Sequence, residues 1–217
     1  MKILGIESSS LVASVAVVTD EVVTAEYTVN FKKTHSQTLL PMIDEVCRMI
    51  ELDLSEIDAI AVSGGPGSFT GLRIGSATAK GLGLALKKPL IHVPTLDAMA
   101  YNLYGTSALI CPMMDARRNQ VYTGVYRFEQ EFETVMEPCM MDTRELAREL
   151  NKYGERVILL GDGVPVNAQI LKENLEVPFS FAPAQCSRQR GASVAVLGAV
   201  YFTEGKTETA MEHKPDY

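Results

Sequence analysis

The 217-residue sequence has only three histidines, His35, His92 and His213, and no HxxxH or HExxH pair. A zinc-peptidase site therefore has no ligand pair to build on, and no metal is expected. The GxSxG turn that exposes a nucleophilic serine is missing as well. Four cysteines, Cys47, Cys111, Cys139 and Cys186, lie far apart without a CxxC pair, which favours reduced core thiols over a zinc site or a disulfide framework. No apolar run approaches the roughly 20 residues that cross a bilayer. The opening MKILGIESSS has neither the apolar region nor the cleavage site of a signal peptide. Membrane and secreted classes are disfavoured, and a cytoplasmic protein is expected. Positive charge is also sparse. The formal net charge is −7, and the basic clusters are doublets: Lys32-Lys33, Lys87-Lys88 and Arg117-Arg118. A protein that grips a nucleic-acid backbone unaided gathers positive charge on one face, so strong RNA or DNA binding by the chain alone is not expected.

What is present fits an ordinary globular α/β protein, with 47% hydrophobic and 22% charged residues. Residues 2 to 28 read as a three-strand meander in which Ala13, Val15 and Val17 alternate with Ser14 and Ala16, one face better buried than the other. Thr34 to Ile50 reads as an amphipathic helix with Leu39, Ile43, Val46 and Ile50 on one stripe and a kink or late start at Pro41. A strand (IDAIAVS), a glycine-rich loop and a helix to about Ala85 follow, then a strand over 89–93 and a helix opened by Pro94. A second unit begins near Ser107 with the strands ALICPMMD and VYTGVYRF and a return strand near 131–141. Asp142 then caps a helix. The strand RVILLG, a helix after GDGVPV and a final apolar helix from about Ser187 to Phe202 complete the chain. The repeated order suggests two similar α/β lobes, 1–104 and 105–217, with the final segment free to pack back on the first lobe.

Three motifs invite a chemical reading. In SGGPGSFTGLRIG (63–75), Gly64, Gly65 and Gly67 allow a sharp turn after a strand, and the next helix N-terminus offers free N–H groups to a phosphate. The spacing is neither a P-loop nor the dinucleotide fingerprint, so a tight structural turn is the competing reading. The hydroxyl-rich Glu7-Ser8-Ser9-Ser10 turn can also wrap a phosphate, or be a plain polar hairpin. Gly71, Gly75, Ala79 and Gly83 recur every four residues. Interior helix glycines each cost about 1 kcal/mol relative to alanine, so close approach of another backbone should offset them. That backbone belongs either to this chain's own sheet and helices or to another subunit. Asp115 with Arg117 and Arg118 reads as a catalytic acid with phosphate clamps, or as a solvated strand end.

Taken together, ILGIESSS, THSQTLLPMID, AVSGGPGSFTGLRIG, VPTLDAMA, MDARRNQVY and the closing Pro215-Asp216-Tyr217 resemble the TsaB (YeaZ) family of bacterial tRNA threonylcarbamoyladenosine biosynthesis proteins, along essentially the whole chain. Members of that family run on past the final tyrosine with Leu-Arg and a short tail, whereas this chain stops at Tyr217. The resemblance implies two lobes of the actin-like ATPase (ribonuclease H-like) type, each a mixed sheet flanked by helices. It also implies a non-catalytic subunit working with the paralogue TsaD, which transfers a threonylcarbamoyl group to the adenosine next to the anticodon of tRNAs reading ANN codons. The ATPase TsaE is a further implied partner, tRNA is reached only through the complex, and a homodimer is implied when the partner is absent.

Against the paralogue's motifs, this chain has Thr95 and Met99 where the metal-binding histidines stand, and Asp162-Gly163-Val164-Pro165-Val166-Asn167 where a Gly-Gly-Val-Ala-Ala-Asn adenosine motif stands. A carboxylate in place of glycine beside a polyphosphate adds like charge and bulk. No firm cofactor site results, and weak ATP or ADP binding stays open at Glu7, Ser8, Ser9, Gly65, Gly67 and Gly163. In the family the first two helices pair with those of the paralogue, which points to Gly71, Gly75, Ala79 and Gly83, flanked by Leu39, Leu40 and Ile43, as the partner interface. The alternative of a different class is a free-standing ATP-dependent kinase of the same fold, against which Asp162 argues.

Overall fold

A computed structural model describes residues 1–31, 34–129 and 131–216. The Lys32-Lys33 doublet and Tyr217 lie outside the described residues. The chain falls into two compact units, Met1–Ala98 with Gln189–Tyr217, and Met99–Arg188.

Unit 1 holds β1 (Lys2–Glu7), β2 (Val12–Thr19), β3 (Val22–Asn30), α1 (His35–Met49), β4 (Ala59–Gly65), α2 (Phe69–Leu86) and β5 (Leu90–Pro94). The short α3 (Thr95–Tyr101) spans the boundary between units. Unit 2 holds β6 (Leu109–Asp115), β7 (Gln120–Phe128), β8 (Phe132–Asp142), α4 (Thr143–Tyr153), β9 (Val157–Leu160), α5 (Gly163–Asn174) and β10 (Phe179–Phe181). Finally α6 (Gly191–Thr203) returns to unit 1.

The sheets share one topology, β3-β2-β1-β4-β5 and β8-β7-β6-β9-β10. In each, the first strand runs antiparallel to the second and parallel to the fourth, which in turn runs parallel to the fifth. Each is thus a mixed sheet flanked by helices, as expected.

The expected lobes met at 104/105, with the final segment free to pack back on the first; here α6, an apolar helix that packs on β1, β2 and β4, carries the chain's end back into unit 1. Leu4, Ile6, Val15, Val17, Ile60 and Val62 pack with α1 and α2 in one core cluster. Alternate residues point to the opposite face, where Ala61 and Ile3 meet α6 at Gly198. Strand β2 is consequently buried on both faces and not on one. Helix α6 is anchored by polar groups: Ser14 Oγ accepts from the Gly191 N–H (2.8 Å), Glu26 Oε1 from the Ala192 N–H (3.1 Å), and Glu26 pairs with Arg190.

Two helix boundaries and one short strand differ from the expectation for identifiable reasons. Helix α1 starts at His35 and carries Pro41 inside it, on its exposed side. Helix α5 starts at Gly163, before Pro165, because a proline in the first helical turn gives up only an N–H that has no intrahelical partner. Strand β10 is only three residues long, Phe-Ser-Phe between Pro178 and Pro183, too short a run to be read as a strand from the sequence.

In unit 2 the core gathers Leu109, Cys111, Met113, Val121, Leu146 and Leu159. All four cysteines are free. Cys47 and Cys111 are buried, while Cys139 and Cys186 are only half-buried. Burial pushes the Cys111 thiol up to about 12, so it is inert at neutral pH.

Candidate functional site

The glycine-rich loop and the serine hairpin are neighbours in unit 1, and they grip each other. Glu7, Ser8, Ser9 and Ser63 are buried at the ends of β1 and β4. Glu7 Oε1 accepts from both the N–H and the Oγ of Ser9, each at 2.6 Å. Ser8 donates its N–H to Ser63 Oγ (3.2 Å) and its Oγ–H to the Gly71 carbonyl (2.9 Å). Ser10 Oγ accepts from the Val12 N–H (3.1 Å), and the Ser68 N–H donates to the Ser9 carbonyl (2.6 Å). The hydroxyls expected to wrap a phosphate are therefore engaged with the chain itself.

The glycines tell the same story. A Cβ at Gly67 would fall 2.4 Å from the Ser9 carbonyl oxygen, and one at Gly71 2.1 Å from that of Ser8. Gly65 has φ of +121°, a region closed to side chains, and a Cβ there would lie 2.1 Å from the Asp216 carbonyl oxygen. Asp216 reaches this loop by donating its N–H to the Gly64 carbonyl (2.6 Å). The turn is built for close internal packing, with the closing residues lying over it. Ser68 caps α2 by accepting from the Gly71 N–H (3.3 Å).

The small-residue stripe of α2, expected as a partner surface, faces inward against this chain's own residues. Gly75 would place a Cβ 2.1 Å from Ser8 Oγ, and Gly83 would place one 3.0 Å from Leu90 Cδ2. Ala79 is fully buried, and Leu39 and Ile43 belong to the core of unit 1. Their neighbour is this chain's own sheet. Of the expected interface residues only Leu40, at 55% exposed, faces solvent.

In unit 2, Gly163 opens α5, its missing Cβ 3.0 Å from the Met113 carbonyl oxygen. Asn167 is buried, donating to the Gly163 carbonyl (2.8 Å) and accepting from Thr143 Oγ1 (2.9 Å). Thr95 and Met99 are both buried, and neither is a ligand for a metal of the paralogue's type. Asp115 is exposed at the end of β6 and accepts from the Arg117 N–H (2.9 Å), an arrangement of a solvated strand end.

Burial pushes the Asp162 carboxyl above the usual carboxylate range, although the Asp115 N–H donates to it at 3.3 Å. The folded state then holds this proton more tightly than the unfolded chain does. Stability falls as pH rises from the ordinary carboxylate value, about 3.9, through the raised one. Asp162→Asn keeps the acceptor oxygen and removes the charge. It is expected to raise the urea midpoint at pH 7 and leave it unchanged at pH 3, where both side chains are neutral.

One constellation was invisible in the sequence. His92, Glu208 and His213 come together in unit 1, although their spacing follows no metal-site pattern. The pairing of Leu90 with Glu208 across a bridge helps to bring it together.

A family model described as "TsaD: tRNA N6-adenosine threonylcarbamoyltransferase" matches residues 23–216. The tRNA threonylcarbamoyladenosine biosynthesis protein TsaB of Bacillus subtilis is 31% identical over 91% of this chain and 87% of its own length. That of Escherichia coli is 33% identical over 98% and 92%. The structure of YeaZ from Pseudomonas aeruginosa superposes with a TM-score of 0.84 at 24% identity, covering 100% of this chain and 99% of that one. The ROK hexokinase of Thermus thermophilus, at TM-score 0.54 and 14% identity over 94% and 100%, shares the fold alone. Two mixed five-stranded sheets in one repeated topology, with these relatives matched along nearly their whole length, show that the chain belongs to the TsaB (YeaZ) family, within the actin-like ATPase fold.

Proposed function

We propose that this chain is the non-catalytic activating subunit of a cytoplasmic tRNA threonylcarbamoyl transferase complex, paired with a TsaD-type partner and served by a TsaE-type ATPase. Its family places it in tRNA threonylcarbamoyladenosine biosynthesis. The observation that carries the non-catalytic reading is the internal use of the hairpin and loop: Ser8, Ser9 and the glycines of 65–71 bond and pack against one another. A half-buried aspartate stands where the paralogue has glycine, which disfavours the free-standing kinase and strong ATP binding.

The partner surface is assigned to the outward face of α1 and α2, not to the inward stripe. Leu40, Phe69 and Leu84 are 55%, 54% and 63% exposed, and Arg73 stacks over the Phe69 ring at 4.8 Å. Gly81 lies on the same outward face of α2 with nothing within 4 Å of the Cβ it lacks. A glycine in a helix interior with no internal contact to relieve is accounted for by close packing of a second helix. The same face serves a homodimer when the partner is absent.

Reconstituted tRNA modification with TsaD, TsaE and the enzyme supplying threonylcarbamoyl-adenylate tests this reading. Product is expected only when this chain is present, while the chain alone turns over no ATP. Gly81→Leu should fold normally and lose most of the product by blocking partner binding in gel filtration. Equal yield without the chain would return the kinase reading to the front, and full binding by Gly81→Leu would move the interface elsewhere.

A further inference from the structure

Two of the three histidines meet at the closing segment of unit 1. His92 lies on β5 with its ring against Gly64, where a Cβ would fall 2.1 Å from His92 Cε1. His213 follows α6 and is 0% exposed. Its segment is tied down by the Leu90–Glu208 bridge, by Lys80 Nζ donating to the His213 carbonyl (2.8 Å) and by the Asp216–Gly64 bond. The two rings lie 5.9 Å apart between centroids. Glu208 Oε1 is 2.5 Å from His213 Nδ1. One ring nitrogen of each histidine and one carboxylate oxygen of Glu208 all fall within 4.8 Å of one another.

His213 Nε2 is buried and has no hydrogen-bond partner among the described residues. A carboxylate at Nδ1 selects the tautomer that carries its proton there, which leaves Nε2 as a bare lone pair. Buried polar atoms without partners are costly and rare, so this one calls for an occupant. A carboxylate behind an imidazole is also how metal-binding histidines are oriented.

We propose that His92, His213 and Glu208 form a binding site for a divalent first-row transition ion, zinc foremost, that fastens the closing segment to β5. Two imidazoles and a carboxylate are the donor set of three-ligand zinc sites, which leave a fourth position to water. Magnesium and calcium favour all-oxygen shells and do not suit it. Asp216 Oδ2, 3.4 Å from His92 Nε2, adds a second carboxylate beside the site. With Glu208 it outnumbers Lys80, the cation bonded to this segment. Metal–ligand bonds of about 2.0–2.2 Å require these side chains to close in by rotation. With Nε2 of His213 on the ion, the proton stays on Nδ1, and Glu208 swings from Nδ1 toward the ion to serve as the third ligand.

The test uses the full chain, freed of metal by a chelator and titrated with zinc chloride by calorimetry, with cobalt(II) absorption to report coordination geometry. His92→Gln with Glu208→Gln is the informative variant, since both side chains are about a quarter exposed and buried His213 stays in place. Cys139→Ser with Cys186→Ser controls for thiol binding. The expected result is one zinc per chain, an affinity lowered at least about tenfold in the histidine–glutamate variant and unchanged in the cysteine variant. Zinc should also slow amide exchange over 208–216 in the parent chain alone. Absence of binding at micromolar zinc, binding unchanged in the histidine–glutamate variant, or binding lost with the cysteines would each overturn the proposal.

Discussion

Alanine at Gly71 and alanine at Gly81 are expected to shift stability in opposite directions, although both sit on α2. At Gly81 the added methyl meets nothing within 4 Å and enters an exposed helix interior. Removing the backbone freedom of glycine there should raise stability by about 1 kcal/mol. At Gly71 the same methyl would lie 2.1 Å from the Ser8 carbonyl oxygen, which is backbone and cannot rotate away. Relief requires the 7–10 hairpin to move off the helix, breaking the bond from Ser8 Oγ to the Gly71 carbonyl and the bond from the Ser68 N–H to Ser9. Overpacking of this kind costs about 1–3 kcal/mol, and the broken buried bonds add to it, so a loss of about 3 kcal/mol is expected. Urea unfolding of the two variants measures both. If they move the midpoint the same way, α2 does not lie on the hairpin as described. The pair also decides how the partner surface should be probed: bulk at Gly71 or Gly75 unfolds the chain before it reports on binding, whereas bulk at Gly81 reports on binding alone.

Removal of the Glu26 carboxylate should have an effect of similar size. Glu26 on β3 pairs with Arg190 and accepts from the Ala192 N–H at 3.1 Å, so it caps α6 from a strand far away in sequence. Arg190, at the N-cap position, makes no side-chain cap of its own. Loss of a helix cap costs about 1 kcal/mol, and loss of a mostly buried carboxylate from an arginine adds to it, discounted because Arg190 is 39% exposed. Glu26→Ala is expected to destabilise unit 1 by about 2–3 kcal/mol, with Glu26→Gln falling between it and the parent. Hydrogen exchange should rise most over 189–203 and leave the strands of unit 2 unchanged. Uniform exchange over both units would mean that α6 is not the element held by this contact.

These two cases show where the sequence was informative. Periodicity gave the meander of β1 to β3, the amphipathic α1, the capped α4 and the repeated order of elements, because each pattern reflects burial of one face within a local segment. Asp142 was read as an N-cap and accepts from the Arg144 N–H at 2.8 Å. The long motifs 63–75 and 115–122 carried the family resemblance on their own. The direction of the α2 stripe was not legible. A row of small residues states that a backbone comes close, and it does not state whose; here it is Ser8 and Leu90 of the same chain. The return of α6 to unit 1 was open in the sequence, which left the final segment free to pack back on the first lobe, since an all-apolar helix has no preferred face to betray its neighbour.

The sequence by itself determined the fold class, the family and the lack of a histidine pair at positions 95 and 99. These rest on local pattern and residue identity, which the chain carries whether folded or not. Only the tertiary structure decided which glycines serve internal packing, that the hairpin hydroxyls are already bonded, and that His92 and His213 are neighbours. Each of these depends on a register between segments distant in the chain, such as Leu90 with Glu208, and no local preference encodes such a pairing.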